Sequence, residues 1–263
     1  MNPEIIKEIE NLDYEKITNI IEKFLLEKID KNKSEGLILG LSGGIDSAVL
    51  AYICKRSLTE KTLALIMPDT EITPNYETED ALKMIALTGI EYKLLDIKPI
   101  VKEYSQYLEP NDWAKGNLRA RIRTNILYYY ANSKNLLVLG SSDKSEHLIG
   151  YFTKFGDGAA DLVPIISLYK LQVRKIAEFL GVPKRIIEKK SSAHLWKDHE
   201  AEKEIGFSYE EIDSALYCIF DKKLTIEETA ATTQIDKLKV EKIYKRYLDT
   251  QHKRKSAHNP PID

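Results

Sequence analysis

Short apolar runs alternate with longer helical stretches through the first half of this chain, and that alternation restricts the fold more than any other feature. Leu37-Ile38-Leu39 is a continuous apolar run beside a glycine, the pattern of a strand buried on both faces, and 63–67, 92–97 and 136–139 read as further strands. The intervening stretches 48–54, 78–87 and 119–130 predict helices, and 14–29 repeats apolar residues at helical spacing ahead of the first strand. Strands separated by helices imply an α/β fold, a Rossmann-like doubly wound parallel sheet flanked by helices. In such a sheet ligands bind at the carboxyl ends of the strands, where the strand order reverses. Two loops sit at predicted strand ends, 40–47 and 140–146, and are candidates to face one site.

Beyond Tyr151 the pattern changes to a glycine-bearing loop, Phe155-Gly156-Asp157-Gly158, followed by helices expected over 170–180, 209–220 and 237–248. Ser208 with Glu211 and Thr225 with Glu228 have the spacing of capping boxes. The stretch 195–204 is polar and irregular and reads as a mobile lid. No repeat or linker divides the chain, so residues 1–263 are expected to form a single domain, with 43% hydrophobic residues to build its core.

Charge and cysteine content set further bounds. The formal net charge is only -2, from 39 basic and 41 acidic residues, so nothing in bulk attracts nucleic acid or an anionic membrane, and an anion site must be local. A helix-turn-helix over 225–247 followed by a basic arm at 252–255 is the competing nucleic-acid reading, and near-neutral charge argues against it. Cys54 and Cys218 are too sparse for a disulfide framework, and no stretch reaches the ~18 apolar residues of a membrane span, so a cytoplasmic protein is expected. His194 and His199 are five apart, which does not align two zinc ligands on a helix.

The segment Gly40-Leu41-Ser42-Gly43-Gly44-Ile45-Asp46-Ser47 lies between a strand and a helix, where unpaired N–H groups and the helix dipole favour an anion. Gly43 and Gly44 permit close backbone approach, and Ser42 and Ser47 add hydroxyl donors. Asp46 would repel a phosphate, so its carboxylate makes most sense as a magnesium ligand beside one. The segment is neither a P-loop nor a Gly-x-Gly-x-x-Gly fingerprint. Other residues stay open on sequence grounds. Lys170 is either a solvated lysine or a phosphate partner, Glu146 an ordinary helix-start acid or a second metal carboxylate, and Arg121 and Arg123 an exposed basic face or a phosphate clamp. Asp157 and Asp161 equally suit turn capping; substrate contact is favoured for Asp161 and a structural role for Asp157.

Ser-Gly-Gly-Ile-Asp-Ser at 42–47 resembles the pyrophosphate loop of the N-type ATP pyrophosphatases. Downstream, Val138-Leu139-Gly140-Ser141, Lys144-Ser145-Glu146, Gly150-Tyr151-Phe152-Thr153-Lys154-Phe155-Gly156-Asp157-Gly158 and Asp161-Leu162-Val163-Pro164-Ile165 resemble the NAD synthetase branch. So do Asn117 to Arg123, Ser192-Ala193 with Leu195-Trp196, and the tail His252-Lys253-Arg254. The resemblance implies that Gly40, Leu41, Ser42, Gly43, Gly44, Ile45, Asp46, Ser47, Ser141, Lys170 and Ser192 bind ATP. It further implies that Asp46 and Glu146 hold Mg2+ and, with Lys170, serve catalysis, while Arg121, Lys154, Asp161, His252 and Lys253 contact deamido-NAD. The implied reaction is ATP-dependent amidation of deamido-NAD by ammonia through a nicotinoyl adenylate, in a homodimer whose substrate site is completed across the interface. Glutamine-dependent members of the family carry an additional amidase domain, and no amidase nucleophile stands out here, so free ammonia is the expected donor. Two departures from the family pattern are Ser141, where several relatives carry Thr, and Asp143, where they carry Asn. A third is Asp198-His199-Glu200-Ala201-Glu202 in place of a Gly-Gln-Thr-Asp-Glu run.

Overall fold

The computed structural model describes residues 1–192, 196, 200–256 and 260. Two helices, α1 (Pro3–Glu10) and α2 (Tyr14–Asn32), precede strand β1 (Gly36–Gly40), and α3 (Ile45–Ser57) follows it. The chain then runs through β2 (Thr62–Ile66), α4 (Asn75–Thr88), β3 (Glu91–Leu94), α5 (Lys98–Ser105), α6 (Asp112–Lys134), β4 (Leu136–Leu139) and α7 (Lys144–Ile149). After the glycine-bearing loop come α8 (Lys170–Phe179), α9 (Lys184–Ile187), α10 (Ala201–Ile205), α11 (Tyr209–Leu216), α12 (Ile226–Thr233) and α13 (Lys237–Asp249).

The strands form one parallel sheet in the order β3-β2-β1-β4, as the alternation predicts. Side chains alternate across it. Leu37 and Leu39 of β1, with Ala64 and Ile66 of β2, pack into a core shared with α2, α3 and α8. Ile38, Leu63 and Leu65 point the other way, onto Ile97, Val101, Ile122 and Leu127 from the α5 and α6 side. Both faces are therefore covered, which a parallel sheet requires. β3 is the exception. Its Tyr92 and Leu94 are 44% and 50% exposed, and charged Glu91 and Lys93 suit an edge strand that must not recruit another chain. The expected strand over 92–97 is shorter than predicted, although Leu95 and Ile97 still donate to the carbonyls of Ile66 and Pro68.

A third core gathers Tyr209, Ile212, Leu216, Val240 and Ile243 of the C-terminal helices around Ile5 and Ile9 of α1. Both predicted capping boxes are present, at Ser208/Glu211 and Thr225/Glu228. The helix expected over 209–220 changes to a π-helical turn at Tyr217–Asp221, which lets Asp221 accept hydrogen bonds from Tyr169 and Lys144. Part of the segment read as a mobile lid is ordered helix: Ala201 and Ile205 of α10 are buried in the third core. The remainder, residues 195 and 197–199, lies outside the described residues, as do His194 and His199.

Candidate active site

β1 connects toward β2 and β3, whereas β4 lies on its opposite flank, so the crevice between the carboxyl ends of β1 and β4 is the switch point of the sheet. A cavity of about 960 Å³ opens there, large enough for a nucleotide-sized ligand. All of residues 40–46 except Gly43 line it, as do Ser141, Glu146, Ser192 and Lys253. Gly43, Ser47 and Lys170 sit behind its wall, and Arg121, Lys154, Asp161 and His252 lie outside it.

The turn after β1 is built from inside. Ser47, 2% exposed, donates to the Gly44 carbonyl at 3.0 Å and accepts from the Ser42 amide at 3.3 Å, so its hydroxyl shapes the loop. Gly44 caps α3 without a side-chain cap bond, which leaves first-turn N–H groups at the cavity for an anion. Gly43 has φ +92°, and a Cβ there would collide with the Glu77 carbonyl.

Facing this turn is a knot of charge. The Lys170 ammonium, 0% exposed, lies 2.8 and 2.9 Å from the two Asp46 oxygens and 2.9 Å from Oε1 of Glu146. Oδ2 of Asp143 forms a third ion pair with it at 2.9 Å. Tyr209 donates to Glu146 Oε1 at 3.0 Å, and its ring lies beneath the ammonium. Three carboxylates thus surround the Lys170 ammonium. Asp143, whose role the sequence leaves unassigned, caps α7 by accepting from the Glu146 amide at 2.8 Å. Asp213 pins α7 to α8, accepting from Ser145 Oγ and the Leu171 amide, while Lys170 N donates to Ser145 Oγ.

Burial pushes the Glu146 carboxyl up to about 8 and that of Asp143 up to about 6, against the pull of Lys170. Burial opposes the charge of Lys170 as well, but Asp143, Asp46 and Glu146 outweigh it and hold the ammonium well above its usual range. Among the described residues no three His, Cys, Asp or Glu converge as a metal cage. Asp46 and Glu146, 20% and 18% exposed, nevertheless fit magnesium, because they are hard oxygen donors on the cavity wall. Magnesium commonly takes one or two carboxylates and keeps several waters. One lysine facing three carboxylates also leaves negative charge for a cation to balance.

The residues outside the cavity form two groups. Arg121 donates to the Lys154 carbonyl, Lys154 donates to the His252 carbonyl, and its ammonium lies 5.2 Å from the ring of Phe155, which is 67% exposed. Asp161 accepts from the Val138 amide at 2.8 Å and from Tyr128, so its carboxylate anchors β4. Asp157 caps its turn by accepting from the Thr153 amide, as expected. The three arginines of α6 divide by position: Arg119 is buried against Asp69 at 2.7 Å, Arg123 donates to the Met67 carbonyl in the cavity wall, and Arg121 faces outward.

Sequence reasoning missed Lys189 and Glu77, which brace the turn and line the cavity beside it, and Lys239, Lys242, Lys245 and Arg246 of α13, which line it as well. The signal for the latter was the three-residue spacing of the lysines. Lys253 donates to the Gly150 and Phe152 carbonyls, and Arg254 to that of Leu148, so the basic tail is engaged with the chain itself.

Comparison with known proteins fits this geometry. The NAD synthase family model matches residues 17–257. An NH(3)-dependent NAD(+) synthetase of Hyperthermus butylicus is 46% identical over 252 residues, 95% of this chain and 91% of the relative. One of Staphylothermus marinus is 46% identical over 261 residues, covering 98% and 94%. Among solved structures, an NMN synthetase from Francisella tularensis aligns with a TM-score of 0.84 at 34% identity, over 96% of this chain and 100% of its own. An NH3-dependent NAD synthetase from Campylobacter jejuni, in complex with nitrate, aligns at 0.81 and 33% identity, over 95% and 100%. A likeness that runs from the second helix to the basic tail, and includes the switch-point crevice, leaves one conclusion: the chain belongs to the NAD synthase family.

Proposed function

We propose that the switch-point cavity carries out ATP-dependent amidation of deamido-NAD by ammonia, giving NAD, AMP and pyrophosphate. The observation that carries this reading is an anion-receptive helix start, Gly44 to Ser47, that bears the Asp46 carboxylate and meets Glu146 through Lys170 on the wall of one nucleotide-sized cavity. An oxygen of the nicotinate carboxylate attacks the α-phosphorus of ATP, and the bond to the β-phosphate oxygen breaks to release pyrophosphate. Ammonia then attacks the nicotinoyl carbonyl, loses a proton and expels AMP. The carboxylate is too poor an electrophile for direct amidation, so activation by adenylation comes first.

The chain contributes positioning and electrostatics, with no nucleophilic side chain required. First-turn N–H groups of α3 and the Ser42 hydroxyl hold the departing pyrophosphate, with Ser141 and Ser192 on the same wall. Lys170 fixes the Asp46 and Glu146 carboxylates and supplies positive charge behind them. Bound Mg2+, held by Asp46 and Glu146, would offset charge on the triphosphate. Lys253 and the α13 lysines supply cationic cavity wall for the phosphates of deamido-NAD.

Arg121, Lys154 and His252 share one surface patch with exposed Phe155, outside the cavity. Such a patch reaches substrate if a second copy completes the site, so the working protein is a homodimer, and sedimentation at assay concentration should find twice the 30.2 kDa chain mass. No helix among the described residues is long and apolar enough to cross a membrane. With two buried free cysteines, that supports a cytoplasmic location.

The deciding assay supplies ATP, Mg2+, deamido-NAD and ammonium, and follows NAD and AMP. Equal amounts of both are expected, with glutamine failing to replace ammonium. Because one aligned structure is of an NMN synthetase, nicotinate mononucleotide is offered in parallel. Faster turnover of the mononucleotide would overturn the assignment of deamido-NAD.

A further inference from the structure

Beside the phosphate turn, where Lys189 and Glu77 form part of the cavity wall, the Lys189 ammonium donates to Glu77 Oε2 at 2.6 Å, Asp80 Oδ2 at 2.9 Å and the Gly43 carbonyl at 2.9 Å. The three side chains are 15%, 5% and 3% exposed, and Arg185 adds a second cation 3.3 Å from Asp80. The cluster therefore has balanced charge and little solvent, and one of its bonds reaches a backbone atom of the turn.

That bond bears on which way the turn faces. In a trans peptide the carbonyl of one residue and the N–H of the next point in opposite directions, and this chain has no cis bonds among its described residues. Holding the Gly43 carbonyl toward Lys189 turns the Gly44 N–H the other way, toward Ser42 Oγ at 3.2 Å. Gly44 lines the cavity and Gly43 does not. Rotating this peptide would replace a donor with an acceptor beside an incoming phosphate. Gly43, at φ +92°, has no side chain to resist such a rotation.

We propose that Lys189, braced by Glu77 and Asp80, is a positioning residue that holds the Gly43–Gly44 peptide with its N–H toward the anion. It also ties the turn to the segment bearing Ser191 and Ser192 of the cavity wall. The proposal rests on the reading that this turn binds the phosphates of ATP.

The test is calorimetric titration of ATP with Mg2+ into the full chain and its Lys189→Met, Lys189→Arg and Glu77→Gln variants, with deamido-NAD titrated separately. Lys189→Met keeps the aliphatic stem and removes the donor, and is expected to weaken ATP binding about tenfold, the scale of one hydrogen bond from a charged group. KM for ATP rises with it, while deamido-NAD affinity stays within about twofold. Lys189→Arg, which can still donate to the carbonyl, restores part of the loss. Parental ATP affinity in Lys189→Met, or an equal loss for both ligands, overturns the proposal. Should Lys189→Met fail to fold, Glu77→Gln decides, since loosening the brace must weaken ATP selectively. A parent chain that binds no ATP overturns the reading of the turn itself, and that result is seen without any variant.

Discussion

Two lysine–carboxylate clusters flank the same glycine turn, and they differ in charge balance and in what they hold. Lys170 faces three carboxylates, two of which reach the cavity, and its own ammonium is wholly buried. Lys189, helped by Arg185, faces two carboxylates, both almost wholly buried, and grips a backbone carbonyl. Excess negative charge at a cavity wall is costly unless a cation or protons share it, and the raised carboxyl of Glu146 is the protonic half of that alternative. A balanced cluster needs no further partner. The first arrangement suits chemistry that takes up a dication, the second suits holding a loop in shape.

The largest expected effect breaks the first cluster. Asp46→Ala removes a proposed metal ligand and half the carboxylate pair held by Lys170 at the cavity wall, so AMP formation at saturating substrates should fall by about 10³-fold. AMP release at the parent rate would show that the cluster's charge has no part in the reaction. Next in size is a pH effect confined to the same cluster. A protonated Glu146 cannot ligate, and its carboxyl is pushed up to about 8, so the half-saturating Mg2+ concentration should climb as pH drops from 8.5 to 6.5, approaching about tenfold per unit. The sign for stability follows from the same shift. Without metal the folded chain keeps this proton up to about 8, while the unfolded chain loses it near 4.5, so folding stability declines as pH rises through that window. Saturating Mg2+ should flatten both trends, and a pH-independent Mg2+ requirement would remove Glu146 from the proposed metal site.

The two clusters were not equally legible in the sequence. Asp46 stands in a glycine turn between an apolar run and a helix, so local pattern alone places it at a strand end, and Glu146 follows the next such end. The sheet itself was legible for the same reason, because Leu37-Ile38-Leu39 and 136–139 are too short and apolar for anything but buried strands. β3 was less so, since charged Glu91 and Lys93 on an edge strand dilute the apolar signal. Nothing local marks Lys189, which is 112 positions from Glu77 and 146 from Gly43, and reads in sequence as one more charge in Glu188-Lys189-Lys190. The burial of Lys170 was equally hidden. Residue type predicts a solvated ammonium, and only the docking of α7, α8 and α11 closes over it.

Asp143→Asn makes the smallest change and tests the comparison most narrowly. Asn caps a helix as well as Asp, so the bond from the Glu146 amide and the shape of α7 should survive. What disappears is one of the three charges around Lys170. Asp143 is among the groups that raise the Glu146 carboxyl, so Glu146 should ionise at lower pH in the variant. The pH midpoint of the Mg2+ requirement should then move down, while turnover at pH 8.5 and saturating Mg2+ stays within about twofold of the parent, because the proposed ligating pair is unchanged. An unmoved midpoint would mean that Asp143 serves the fold alone. In that case the excess charge setting the two clusters apart would rest on Asp46 and Glu146, the two carboxylates of the Lys170 cluster that line the cavity.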